Sequence, residues 1–298
     1  MNRPRELLTV EPFVASPFPL RQGRGAGGRP FFDQRAGTRR GRTTRHGEVF
    51  WEDETYGDSR VLLSIPAAFD ARRPATLVVF MHGNRAQLER DVVRRQHLPR
   101  QIGDADINAV LVAPQFAFDA PDSSAGRFAL RGVFRDFLAE AAQQLGQLYH
   151  AQHDGAVHVP LKRQSFQQAS VIIVAYSGGY CPAAAALTVG GALSRVRGVV
   201  LLDALYDHER LFADWLHHRR QHAFLVSAYT HSTRPRNVRL RTLLKERAQS
   251  CTLGLTSRLA AGTACLVPLD GTVEHADVVT RAWCPDPVTD VLRRAGHA

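Results

Sequence analysis

Apolar residues along this chain fall into short unbroken runs separated by polar, helix-patterned stretches. TLVVFM (76–81), AVLVA (109–113), VIIV (171–174) and VVLL (199–202) have the length and β-branched character of strands buried on both faces. The segments 48–51, 60–65, 223–229 and 264–268 add four further strands. Between them the period lengthens. Val133, Phe134, Phe137, Leu138, Ala141, Leu145 and Leu148 recur at helical spacing, and Leu211, Phe212, Trp215 and Leu216 share one face of a helix over 209–219. Helices are also expected over 88–100, on the surface, over 238–248 and from near Pro287. Strands alternating with helices predict a central, mostly parallel sheet with helices on both faces. No internal repeat is present.

In such sheets, binding and catalysis gather at the carboxyl ends of the strands. Three polar clusters fall there: His82-Gly83-Asn84, Ser177, and Asp203 with Asp207. Ser177 sits in Ala175-Tyr176-Ser177-Gly178-Gly179, between a β-branched strand and an alanine-rich helix that opens with Pro182. A turn this tight needs small residues two before and two after the serine, and Ala175 and Gly179 meet that need. It exposes the hydroxyl and points a helix N-terminus at whatever the serine attacks. No GxGxxG follows the first strands, which argues against a dinucleotide fold.

The strand–turn–helix around Ser177 resembles the nucleophile elbow of the α/β-hydrolase superfamily, with Ala175 in place of the usual first glycine. The likeness spans residues ~48 to 285 and rests on three dispersed motifs in the family's order. It implies an α/β-hydrolase fold, a serine nucleophile, and hydrolysis through an acyl-enzyme of an esterase or lipase kind. The family order of serine, acid, histidine restricts the base to a late histidine. His275 follows the last strand after a glycine turn and looks like the family's histidine loop. His208, His217, His218 and His222 lie on or beside a surface helix, His231 directly follows a strand, and His297 stands at the C-terminus. Gly178, after the nucleophile, is expected to supply one oxyanion amide. Gly83 or Asn84, in a turn resembling the family's HG turn, supplies the other. The commoner place for the acid is after the strand 223–229, but no carboxylate appears there before Glu246. Asp203 directly ends the preceding strand, as in some lipases of the superfamily, and is the expected acid, with Asp207 the alternative.

Neither a metal nor a cofactor is expected. His150, His153, Asp154 and His158 match no zinc spacing, and His217-His218 read as a solvated helix end. Four cysteines without CxxC spacing suit a reducing compartment, with a Cys251–Cys265 or Cys265–Cys284 bridge left open.

The net charge of +10 changes the picture only at one end. Ten arginines against three acids lie within residues 1–47, in Arg/Gly-rich stretches poor in aliphatics. Residues 1–46 therefore read as a disordered tail ahead of a catalytic domain over 47–298. A solvated leader is preferred there over an arm for nucleic acid or another polyanion. No apolar run is long enough to span a membrane, and the proline-interrupted first twenty residues lack a signal-peptide core, so a cytoplasmic protein is expected. The expected partner is a small acyl substrate, an ester first. An amide or peptide on the same triad, or a silent scaffold binding an anionic partner through the tail, are the alternatives.

Overall fold

The computed structural model describes residues 6–20, 30–44, 47–153 and 166–296. Its strands are β1 (Leu7–Pro12), β2 (Gln34–Ala36), β3 (Arg39–Thr43), β4 (Val49–Trp51), β5 (Arg60–Ile65), β6 (Thr76–Met81), β7 (Ala109–Pro114), β8 (Ser170–Tyr176), β9 (Val196–Leu202), β10 (Phe224–Tyr229), β11 (Thr252–Leu253) and β12 (Ala264–Pro268). Nine of these form one sheet in the order β1-β5-β7-β6-β8-β9-β10-β12-β11. In it β5 pairs antiparallel with both β1 and β7, and every other pairing is parallel, so a single strand runs against the rest. The apolar runs are central for a physical reason: strands covered on both faces can expose neither.

Alternation along the strands splits the core in two. Val171, Ile173 and Ala175 of β8 face one cluster, and Ile172, Val174 and Tyr176 face the other. The first cluster is closed by α3 (Val133–His153), α4 (Tyr180–Thr188), α5 (Glu209–Arg219) and α6 (Arg234–Glu246), through Phe137, Leu187, Phe212 and Leu240. The second is closed by α2 (Leu98–Gly103) and α7 (Pro287–Gly296), through Ile102 and Leu292. The surface helix expected over 88–100 is two pieces. An eight-residue π-helical segment, Leu88–Arg95, precedes α2, and His97 between them has φ 53°. Buried Asp91 braces the wide turn by accepting from the Gln87 amide, Arg90 and Arg95.

The largest departure from expectation is at the N-terminus, where the disordered tail over 1–46 and the domain start at 47 are both corrected. β1 extends the main sheet, and Phe13, Phe18 and Leu20 are buried. β2, β3 and β4 form a second, antiparallel sheet, and the short helix α1 (Glu52–Thr55) follows it directly. Phe18, Phe31 and Tyr56 pack there as a small aromatic core, with ring centroids 5.2–5.9 Å apart. Three of the arginines that suggested a solvated arm are paired. Arg39 binds Asp53 and Glu54, Arg40 binds Glu52, and Arg42 lies 3.5 Å from Asp122. Composition misled because the apolar anchors are few, while the arginines answer acids in α1 and beyond that the local sequence does not reveal. Residues 1–5, 21–29 and 45–46 of that expected tail lie outside the described residues.

Among the described residues, no helix is long and apolar enough to cross a membrane, and no group of three or more His, Cys, Asp or Glu could hold a metal ion. Asp154 and His158 lie outside the described residues. All four cysteines are free thiols.

Candidate active site

β8 ends at Tyr176, and the chain turns through Ser177–Gly179 into α4. Ser177 occupies the left-handed region at φ 52°, a strained conformation for a residue with a Cβ. The backbones around it touch. A Cβ on Gly83 would lie 2.8 Å from the Ser177 Cβ. One on Gly179 would collide with the Met81 carbonyl, and one on Gly178 with the Asn84 and Ser123 side chains. Glycine at 83, 178 and 179 is what lets β6, the turn and α4 close on one another.

Three residues far apart in sequence meet above this turn. His275 Nε2 lies 2.9 Å from Ser177 Oγ, and His275 Nδ1 lies 2.7 Å from Asp203 Oδ2. Asp203 is fully buried at the end of β9, with φ 44°. Burial pushes its carboxyl up, but hydrogen bonds from His275, Thr233 and Thr230 outweigh that and hold it down to about 2. The donors are the Thr230 amide at 3.0 Å, Thr230 Oγ1 at 2.8 Å, Ser232 Oγ at 3.3 Å, and Thr233 Oγ1. Thus the segment after β10 carries no carboxylate; it supplies hydroxyls that hold the carboxylate at the end of β9. The alternative acid, Asp207, is exposed and accepts from the His208 amide at 2.7 Å, while the imidazole bonds Asp203.

A serine on a strained strand-to-helix turn at the carboxyl edge of a parallel sheet now stands with an acid and a histidine in the chain order Ser177, Asp203, His275. The fold is that of the α/β-hydrolases. In this hydrolase fold the turn after β6 faces the serine. His82, buried there, donates from Nδ1 to the Gly83 carbonyl at 2.8 Å and accepts at Nε2 from the Phe116 amide at 2.9 Å. Burial pushes its pKa down to about 4, so it is neutral and can accept. Asn84 is exposed, and its Oδ1 accepts from Ser123 Oγ at 3.0 Å. Gly83 therefore lies against Ser177, and Gly178 against Asn84.

Sequence reasoning passed over Tyr176, Tyr206, Thr230, Ser232, Thr233 and Ser123. Tyr176 stacks on the His275 ring, with centroids 5.1 Å apart and 24° between planes, and its hydroxyl donates to the His275 carbonyl at 3.1 Å. Tyr206 meets the same ring edge-on at 6.3 Å. The signal for Tyr176 was its place beside Ser177; the others carry none that distinguishes them from surface hydroxyls. His231, the other histidine that closely follows a strand, is exposed on the turn before α6.

No family model and no curated protein sequence matches the chain. Solved structures do resemble it. One is a feruloyl esterase module from Clostridium thermocellum, complexed with sinapinate, at 11% identity and TM-score 0.45, covering 100% of this chain and 99% of that one. Another is an S-formylglutathione hydrolase from Agrobacterium tumefaciens, at 10% identity and TM-score 0.43, covering 88% and 98%. A third is an esterase from Pseudomonas putida, at 13% identity and TM-score 0.42, covering 81% and 78%.

Proposed function

We propose that the protein is a serine hydrolase acting on carboxylic esters through an acyl-enzyme. The observation that carries this reading is the continuous hydrogen-bonded chain from Ser177 Oγ through the His275 ring to buried Asp203. Ser177 Oγ attacks the ester carbonyl while His275 Nε2 takes its proton. Asp203 accepts from Nδ1–H, fixes the tautomer and stabilises the imidazolium. The amide of Gly178, with that of Gly83 or Asn84, receives the negative charge that grows on the carbonyl oxygen. The imidazolium returns its proton to the departing alkoxide, leaving Ser177 acylated. Water, deprotonated by the same nitrogen, then attacks the acyl-enzyme, and the serine regains the proton as the acid leaves.

Ser177→Ala is expected to fold as the wild type and to lose turnover by about 10⁵- to 10⁶-fold. Fluorophosphonate labelling and hydrolysis of p-nitrophenyl esters check this. Labelling of the alanine variant at the wild-type rate would show that the nucleophile lies elsewhere. Aminoacyl anilides run beside the esters separate an amidase from an esterase.

A further inference from the structure

A cavity of about 540 Å³ lies along the outward face of α4. Cys181 and Ala185 of α4 form one wall, Ser124 and Ala129 a second, and Phe31 with Arg42 of the N-terminal segment a third. Nothing in the catalytic chain described above uses it.

Its position relates it to Ser177. Cys181 is four residues beyond the nucleophile, one helical turn along the helix that the elbow opens. Ser124 follows Ser123, which bonds Asn84 and lies against Gly178. The cavity therefore begins next to the residue that bonds Asn84 and one helical turn from the serine. His275 stands between Tyr176 and Tyr206. In acyl transfer the leaving oxygen must face the imidazole that protonates it, so the acyl group extends away from that ring. The one arginine of the lining is committed elsewhere. Arg42 is paired with Asp122 at 3.5 Å and lies 4.1 Å over the Phe31 ring. Asp122 in turn accepts from Tyr56 Oη at 2.8 Å and from the Ser124 amide at 2.8 Å. The N-terminal segment is thus fastened to the loop that reaches the oxyanion residues.

Building on the acyl-hydrolase reading, we infer that this cavity is the acyl pocket and that it takes an uncharged apolar acyl group of medium length. Its volume falls within the range of small-molecule sites, and its walls are mostly small apolar side chains that leave room for such a chain. The N-terminal segment is then part of the specificity machinery.

Two filling variants on separate elements, Ala185→Phe and Ala129→Leu, test this in the full chain. The readout is the ratio of kcat/KM for p-nitrophenyl octanoate to that for p-nitrophenyl acetate, with fluorophosphonate labelling alongside. The ratio is expected to fall roughly tenfold or more in Ala185→Phe and in the same direction in Ala129→Leu. If one variant fails to fold, the other carries the test. A ratio within about twofold of wild type in the folded variants overturns the acyl pocket while leaving ester hydrolysis standing. Failure of wild type to be labelled and to cleave either ester overturns the hydrolase reading and the pocket with it.

Discussion

Asp203 is a fully buried carboxylate surrounded by donors, and its expected behaviour follows from that. With its pKa held near 2, it stays ionised at any ordinary working pH. Asp203→Asn keeps the shape but offers the imidazole an amide, so turnover is expected to fall by roughly 10⁴-fold, with Ser177 in place. Asp207→Asn should stay near wild type; steady-state kinetics on one ester compares the two. His82 makes a prediction about stability. Its folded pKa, about 4, lies below the unfolded value of about 6.5. Between those values the unfolded chain binds the proton that the folded chain refuses, so stability falls as pH drops through that window. The loss attributable to His82 is roughly 3 kcal/mol once pH is below 4. Denaturant titrations at pH 7 and pH 4.5 measure it, and His82→Asn should flatten the difference. The three residues of the hydrogen-bonded chain were readable because chain order and strand ends restrict the choice. Thr230, Ser232 and Thr233 were not, because a hydroxyl becomes informative only when the strand register sets it against Asp203.

The elements themselves divide the same way. Four of the buried strands, β6 to β9, announce themselves as apolar runs, and the helices α3 and α5 as periodic faces, because burial on two faces or on one stripe leaves a direct mark on sequence. The π-helical segment left none, since its extra residue per turn is set by the Asp91 contacts and by His97 in the left-handed region. The strand–turn–helix at Ser177 was legible through its small residues, and its tolerance can be measured. Gly178→Ala places a methyl against Asn84 and Ser123. It is expected to cost about 1–3 kcal/mol and to slow fluorophosphonate labelling through displacement of the 83–84 turn. Thermal melts and labelling rates, read together, separate loss of fold from loss of site geometry. If Gly178→Ala labels and melts as wild type, the turn is looser than its contacts imply.

For the whole molecule, charge gave the wrong picture of the N-terminus and topology gives the right one. Residues 6–20 and 30–44 contribute an outer strand, an aromatic core and a wall of the cavity beside α4. Removing residues 1–46 is therefore expected to lower the melting temperature sharply or to abolish folding, as circular dichroism would show. A shortened chain that keeps wild-type melting and turnover would restore the dispensable leader. The outer strand has one more consequence. β5 reads RVLLSI and all but its first residue are buried, yet β1 alone stands between it and the end of the sheet. Without β1, β5 would offer an unbroken row of backbone donors and acceptors on an apolar ribbon, a template for a second molecule. β1 is poorly suited to that role, since Glu11 is exposed, Leu8 stands singly in solvent, and Pro12 has no amide to donate. The segment that looked most expendable thus covers an edge suited to self-association, and proteolytic trimming near Phe13 is expected to raise aggregation above that of the full chain, as light scattering would show.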